Sequence, residues 1–177
     1  MALNEIIIAG FGGQGILSMG RLIAYAGLLE EKNVSWLPSY GPEMRGGTAN
    51  CSVVISDEPV SSPILNSCSI LLVMNAPSLE KFEKIVLPGG VIISDSSLVN
   101  IKPTRQDVKW IEIPATKLAN DAGNATYAGV ILLGKMIEET AAIEIDSFEK
   151  ALKRVLPEKK HYMIPEEIEM LKLGFDY

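Results

Sequence analysis

Residues 10–15 carry the glycine spacing of a phosphate-binding turn. The segment Gly10-Phe11-Gly12-Gly13-Gln14-Gly15 follows a short β-branched run and precedes a stretch with helical spacing that starts at Ile16. Glycines in a G-x-G-x-x-G turn let the backbone bend tightly and present free N–H groups at a helix N-terminus, which suits a phosphate or carboxylate. Two other interpretations stay open: the glycines allow close helix–sheet packing, or they let a backbone or cofactor of a partner subunit approach.

The rest of the dinucleotide-binding fingerprint is missing. An acidic residue at the end of the second strand should bind the ribose hydroxyls. The sequence at that point is Leu37-Pro38-Ser39-Tyr40. The glycine spacing alone therefore gives little support to a free-standing NAD(P) oxidoreductase.

Residues 39–47 form a second unusual segment. It combines an aromatic, a carboxylate and a guanidinium with two adjacent glycines, and one proline lies within it and another directly before it. We predict an irregular loop on the same sheet edge as the glycine turn, and loops on rigid scaffolds commonly carry binding residues. Arg45 offers a planar fork for a carboxylate or phosphate. A surface ion pair between Arg45 and Glu43 is the alternative, but Gly46 and Gly47 would let another surface approach closely and favour binding.

The remaining polar candidates are weak. Cys51 and Cys68 lie within or just before apolar strand patterns, which is typical of small core residues, and His161 lies in a charged linker. Asp95 and Asn124 could line a site or cap a local turn. A single histidine without a marked nucleophile gives no Ser-His-Asp set, and two cysteines cannot hold a four-thiolate iron–sulfur cluster. We therefore predict no catalytic residues and no metal site within this chain.

The composition favours one globular unit. The 177 residues are 47% hydrophobic with a formal net charge of −6, and we expect a single domain over residues 1–177 with a C-terminal helical segment at 146–177. The acidic balance argues against nucleic-acid binding. We expect no secretion signal, because a basic leader is missing, and no membrane span, because no apolar stretch approaches the required ~20 residues. A cytoplasmic location follows as an expectation.

Apolar runs alternate with helical patterns along the chain. The first strand (5–9), the first helix (16–31) and the second strand (34–37) should form a βαβ unit with parallel pairing. The run at 48–56 should be a strand, with a hairpin partner near residue 60. Further strands are predicted at 69–74, 91–94 and 108–113. Together these elements predict an α/β fold, a three-layer Rossmann-like domain with a mostly parallel sheet and an antiparallel hairpin excursion after residue 56.

Helices are expected between and after these strands. Asn75 should cap a helix that ends before Pro88-Gly89-Gly90, and Asp146 with Glu149 fits a capping box for a helix to residue 155. Further helices are predicted at 115–121, 125–139 and from residue 165. The helix at 125–139 is apolar on nearly all sides, so it is either sandwiched in the core or packed against another chain.

Four segments together resemble a known family. They are GFGGQG at 10–15, SYGPEMRGGTANCSVVIS at 39–56, SILLVMN at 69–75 and PGGVIISD at 88–95. At this spacing they are similar to the gamma subunit of the 2-oxoacid:ferredoxin oxidoreductases, with the greatest likeness to the 2-oxoglutarate (2-oxoglutarate synthase) branch. The resemblance extends over residues 5–155.

The resemblance implies one subunit of a larger enzyme. Such enzymes oxidatively decarboxylate a 2-oxoacid, transfer the acyl group to coenzyme A and pass electrons to ferredoxin or a flavodoxin-like acceptor. Thiamine diphosphate with Mg²⁺ and the iron–sulfur clusters are expected in alpha, beta and delta-type partner subunits, so the isolated chain should be inactive. The resemblance also allows a homodimer of this chain.

The family motif maps onto eleven positions of this chain. They are Gly10, Gly12, Gly13, Gln14, Gly15, Tyr40, Gly41, Glu43, Arg45, Gly46 and Gly47. The hypothesis is that they shape a subunit contact and support cofactor or coenzyme A binding. Two alternatives remain: a stand-alone nucleotide- or anion-binding regulatory module, and the pyruvate or indolepyruvate branch of the same enzyme family.

Overall fold

The computed structural model describes residues 1–39 and 48–177, in which six strands and six α-helices alternate. The strands are β1 (Leu3–Phe11), β2 (Asn33–Ser39), β3 (Thr48–Ser56), β4 (Cys68–Val73), β5 (Val86–Asp95) and β6 (Lys109–Ile113). The helices are α1 (Ile16–Leu29), α2 (Ala76–Phe82), α3 (Ala115–Asp121), α4 (Ala128–Thr140), α5 (Ile145–Val155) and α6 (Ile164–Asp176). None of the helices in these two ranges is long and apolar enough to cross a membrane.

The strands form one sheet in the order β2-β3-β1-β4-β5-β6. β1, β4, β5 and β6 run parallel, whereas β3 is antiparallel to both of its neighbours, β1 and β2. The α/β class with a mostly parallel sheet and an antiparallel element is therefore confirmed.

Two details of the predicted topology are wrong. β1 and β2 do not pair, because β3 lies between them, and the segment after Ser56 contains no strand near residue 60. β3 is itself the antiparallel element. It is buried along most of its length and pairs with all nine residues of β1, from Leu3 opposite Ser56 to Phe11 opposite Thr48. The alternation of apolar residues identified the strand, but that pattern carries no information about strand direction or neighbour.

Close backbone packing places α1 on one face of the sheet. A Cβ at Gly20 would collide with the Cys51 sulfur, and one at Gly27 would lie 3.0 Å from Val34 Cγ2. Glycine at these two positions, seven residues apart, lets the helix approach β2 and β3. The opposite face carries a smaller apolar cluster in which Leu79 of α2 packs with residues of β1, β4 and β5.

Helix α4 is sandwiched within this chain. Nine of its residues are buried, and its neighbours are the sheet, α1, α3 and the C-terminal helix α6. Of the two possibilities left by its apolar sequence, packing against another chain is therefore wrong for this helix. The residues from 164 onward supply the cover that its outer side needs, so the C-terminal helical segment is part of the core.

Local helix signals were partly correct. Asn75 caps α2 as predicted, since its side-chain oxygen accepts the Ser78 N–H at 2.8 Å. The capping box at 146–149 is wrong: α5 begins at Ile145 without a side-chain cap, and Asp146 lies in its first turn. Pro88-Gly89-Gly90 lies inside β5 rather than between a helix and a strand, because a 3-10 turn at Glu83–Ile85 already ends the helix.

Candidate functional site

The glycine turn joins β1 to α1 at the carboxyl edge of the parallel strands. Gly13 has φ = 91° and Gly15 has φ = 77°, a left-handed conformation that side chains rarely adopt, and a Cβ at either position would point into open space. Glycine is therefore required here by backbone conformation and not by packing. The first-turn N–H groups of a helix have no intrahelical acceptor. In α1 the N-cap residue is Gly15, which has no side chain that could accept from them.

Gly10 differs from the other glycines of the turn. It lies within β1, and a Cβ there would be 2.5 Å from Gln14 Oε1, 2.8 Å from Ile16 Cδ1 and 3.1 Å from Met74 Cβ. This position fits the packing interpretation of the motif. Gly12 is exposed at the bend.

The Gln14 side chain is engaged at both ends. Its Oε1 accepts the Phe11 N–H at 2.6 Å, and its Nε2 donates to the Met74 carbonyl oxygen at 3.2 Å. These bonds connect the turn to the end of β4. Gln14 therefore lies at the site, but its carboxamide is already used by the protein itself.

A cleft of about 350 Å³ lies beside the turn. Its walls come from the turn, the end of β4, the segment after β5, the start of α3 and the 3-10 turn before α4: Gly13, Gln14, Gly15, Met74, Leu98, Thr116, Ala125, Thr126 and Ala128. The cleft residues beyond the turn were not found from the sequence. Met74, Leu98 and Thr116 share one signal, since each lies shortly past a strand's carboxyl end, where ligands bind in parallel α/β sheets.

Two capping residues hold the far wall of the cleft. Asp95 is fully buried, and its carboxylate accepts the N–H of Ser97, the N–H of Thr116 and the Thr116 hydroxyl at 2.5 Å. Asn124 accepts the Thr126 N–H at 3.1 Å and the Thr126 hydroxyl at 2.7 Å. Both side chains therefore act as local caps that position Thr116 and Thr126.

A second cleft of about 310 Å³ lies on the other side of the turn, where Phe11, Leu17 and Ala49 contribute apolar surface. It adjoins the strand ends that flank residues 40–47: Thr48 pairs with Phe11, and Ser39 pairs with Asn50. Six of the candidate residues lie outside the described residues: Tyr40, Gly41, Glu43, Arg45, Gly46 and Gly47. Their flanks reach the same sheet edge as the glycine turn.

The chain's thiols do not suit redox or metal chemistry. Cys51 and Cys68 are both buried, and burial raises the pKa of each to about 12. Within residues 1–39 and 48–177, no three His, Cys, Asp or Glu side chains come together in a way that could hold a metal ion. Four-thiolate coordination of an iron–sulfur cluster therefore does not fit the described part of this chain. His161 is half-buried, with a ring nitrogen 3.0 Å from the Leu156 carbonyl oxygen.

A larger cavity, about 560 Å³, lies at the opposite edge of the sheet. Its charged wall includes Lys32 and Asp57, which form an ion pair that raises the pKa of the lysine and lowers that of the carboxyl. Asp57 also accepts the Ala2 N–H at 2.7 Å, and Glu30 accepts the Glu144 N–H at 2.7 Å. These groups are occupied in connecting elements, which leaves the glycine-turn edge as the better candidate site.

Comparison with known proteins gives one matching family and several relatives. The family described as pyruvate ferredoxin/flavodoxin oxidoreductase matches residues 5–177. Ketoisovalerate oxidoreductase subunit VorA of Methanothermobacter thermautotrophicus is 38% identical over 174 residues, which are 98% of this chain and 36% of the relative. The 2-oxoglutarate synthase subunit KorC of Methanocaldococcus jannaschii is 34% identical over 157 residues, 87% of this chain and 84% of the relative. The chain thus spans about a third of the length of the ketoisovalerate relative.

Two solved structures share the fold. The gamma subunit of the keto/oxoacid ferredoxin oxidoreductase from Geobacter sulfurreducens superposes with a TM-score of 0.87 at 29% identity, covering 99% of this chain and 96% of that one. The 2-oxoglutarate:ferredoxin oxidoreductase from Magnetococcus marinus gives the same TM-score at 22% identity, over 98% of this chain and 30% of the larger chain.

Proposed function

This chain belongs to the pyruvate ferredoxin/flavodoxin oxidoreductase family, and we propose that it acts as the gamma-type subunit of a 2-oxoacid:ferredoxin oxidoreductase. The observation that carries the proposal is the family match over residues 5–177, which includes the glycine turn and both strands that flank residues 40–47. The complete enzyme would convert a 2-oxoacid and coenzyme A into the acyl-CoA and carbon dioxide, and pass two electrons to ferredoxin or a flavodoxin-like carrier. We further propose that the complex is cytoplasmic.

The chemistry is divided among subunits in this proposal. Thiamine diphosphate, Mg²⁺ and the iron–sulfur clusters are placed in alpha, beta and delta-type partners, as the family resemblance implies, and the two buried cysteines described in this chain are too few for a four-thiolate cluster. No step of the decarboxylation is assigned to a side chain of this subunit. Its contribution is to bind and orient a ligand at the interface where the partner subunits meet.

We assign the glycine-turn cleft to coenzyme A. Gly13 and Gly15 leave open space where a side chain would otherwise project, and the first-turn N–H groups of α1 suit a phosphate oxygen. When bound, coenzyme A supplies the thiol that accepts the acyl group. We propose that the candidate residues of the segment 40–47 support the same ligand or the partner contact next to it; they are Tyr40, Gly41, Glu43, Arg45, Gly46 and Gly47.

For the substrate we propose 2-oxoglutarate. The support is the 34% identity to a 2-oxoglutarate synthase subunit that this chain matches over most of the relative's length. Ketoisovalerate is the second candidate, favoured by the 38% identity to the ketoisovalerate relative, of which this chain matches only 36%. Discrimination between these acids is expected in the thiamine-binding partners, so the assay must use the assembled enzyme.

The decisive experiment is co-purification of the chain with the products of its neighbouring genes. A brown complex that reduces a viologen dye with 2-oxoglutarate, in a reaction that requires thiamine diphosphate and coenzyme A, supports the proposal. Ketoisovalerate, pyruvate and indolepyruvate are assayed in parallel, and the acyl-CoA product identifies the branch. A colourless monomer that binds a nucleotide would instead support the stand-alone regulatory module.

The role of residues 40–47 has its own test. Arg45→Ala should weaken either assembly or the apparent affinity of the complex for coenzyme A, because a guanidinium that pairs with a phosphate or carboxylate is lost. Arg21→Ala, which removes an exposed arginine from α1, is the matched control. Unchanged assembly together with an unchanged KM for coenzyme A in Arg45→Ala contradicts the proposed role.

A further inference from the structure

The strand pair β1 and β4 is the point at which the sheet changes winding direction. α1 follows β1 and packs on one face, whereas α2 follows β4 and packs on the other. From this pair the order continues outward as β3 and β2 on one side and as β5 and β6 on the other. In doubly wound sheets the carboxyl ends of such a pair separate, and the crevice between them is where ligands bind.

The hydrogen-bond ladder between β1 and β4 stops at this crevice. Ala9 pairs with Val73, and the last direct bond runs from the Met74 N–H to the Ala9 carbonyl oxygen at 2.9 Å. In a regular parallel ladder the next bond would run from the Phe11 N–H to the Met74 carbonyl oxygen. These two groups are instead bonded to opposite ends of the Gln14 carboxamide, at 2.6 Å and 3.2 Å.

The side chain of Gln14 therefore takes the place that a peptide group would have in an inserted strand. The arrangement needs an acceptor facing Phe11 and a donor facing Met74, which a carboxamide supplies and a carboxylate does not. It also needs space, and the missing Cβ of Gly10 provides it, because that atom would lie 2.5 Å from Gln14 Oε1. The position of the Gln14 side chain therefore depends on glycine at position 10.

We infer that Gln14 is a positioning residue that replaces one rung between β1 and β4, fills the crevice there and fixes the turn with Gly13 and Gly15 facing the cleft. A ligand of this site consequently contacts the turn from the cleft side and does not enter between the two strands. In this inference Gln14 supports cofactor or coenzyme A binding through the conformation of the turn and not through its own carboxamide. The part of this inference that concerns coenzyme A rests on the proposed function.

The rung can be tested in the full chain without the other subunits. Gln14→Leu keeps a side chain of similar size but removes both the acceptor and the donor, and Gln106→Leu makes the same change at an exposed glutamine elsewhere. Hydrogen–deuterium exchange at the Phe11 amide should become about tenfold faster in Gln14→Leu, equivalent to one lost hydrogen bond, and stay unchanged in Gln106→Leu. Unchanged exchange at Phe11 in Gln14→Leu overturns the inference.

The link between Gly10 and Gln14 has a double-mutant test. Gly10→Ala should lower the melting temperature less in a Gln14→Ala background than in the wild-type background, because its closest contact is Gln14 Oε1. If the effects of the two substitutions on the melting temperature are additive, Gln14 does not depend on the space at Gly10.

The positioning role is tested in the assembled enzyme. Gln14→Leu should raise the KM for coenzyme A about tenfold and leave kcat within about twofold, because the turn is displaced but the reacting groups are elsewhere. Ala125→Phe, which adds bulk to the facing wall of the cleft without touching the turn, is measured beside it. If Ala125→Phe raises this KM and Gln14→Leu does not, the positioning role is overturned and the proposed function stands. If neither raises it, the coenzyme A assignment fails, and the Phe11 exchange rates alone decide whether the rung exists.

Discussion

Gly134 of α4 lies directly against the backbone of Leu171 in α6, and the contact is reciprocal, since Gly174 of α6 lies against the carbonyl oxygen of Ile131. A Cβ at either glycine would overlap these backbone atoms. The two helices thus meet backbone to backbone, which brings Leu171 and the apolar side of α4 into one buried cluster.

Gly174→Ala should destabilise the protein by ~2 kcal/mol or more, because the added methyl group overlaps the Ile131 carbonyl oxygen and backbone cannot move aside cheaply. The sign is diagnostic, since Gly→Ala in an unconstrained helix stabilises by up to about 1 kcal/mol. The measurement is urea unfolding, with Lys172→Ala on the exposed side of α6 as control. A gain in stability for Gly174→Ala would contradict the close helix contact.

Glu167 should make the stability of the protein depend on pH. Burial raises the pKa of this carboxyl, and the positive charge of Lys160 only partly opposes the shift. A folded-state pKa above the unfolded value means that the contribution of Glu167 to stability is fully present below about pH 4.3 and is lost as pH rises through the folded-state pKa.

Glu167→Gln should therefore raise the melting temperature at pH 7, and its advantage over the wild type should shrink as the pH falls towards 4. Melting curves between pH 4 and pH 8 measure this effect. Glu169→Gln, at an exposed position of the same helix, should give no such pH-dependent gain. An equal response of the two variants would show that burial of Glu167 is not the cause.

Asp95→Ala should cost about 2–4 kcal/mol in unfolding free energy, because the Ser97 and Thr116 N–H groups and the Thr116 hydroxyl lose their buried acceptor. Chemical denaturation gives the value. Asp121→Ala, which removes an exposed partner of Lys117 from the other end of α3, should have a much smaller effect. Equal losses in the two variants would argue against Asp95 as the cap that holds this wall of the cleft.

Neither thiol should react with a disulfide reagent in the folded protein at pH 8. Cys51 and Cys68 are fully buried with pKa values raised to about 12, so access and thiolate are both lacking. Two equivalents should react rapidly once denaturant is added. Fast modification of the native chain would contradict the core assignment of the cysteine that reacts.

Local signals were enough to predict most of the elements. The glycine turn, the Asn75 cap and the helix at 115–121 depend on residues within a few positions of one another, and all three are present. Patterns in one strand could not place β3 between β1 and β2, because pairing partner and direction are decided by which faces the rest of the chain buries.

The candidate site divides in the same way. The sequence by itself determined that residues 10–15 form a glycine turn at a helix N-terminus, since backbone conformation at Gly13 and Gly15 is a local requirement. Only the tertiary structure decided what Gln14 does, because its partner Met74 is 60 residues away and its space depends on the missing Cβ of Gly10. The same holds for α4: its apolar sequence required a cover, and the close approach of α6 through Gly174 determined that this cover comes from the chain itself.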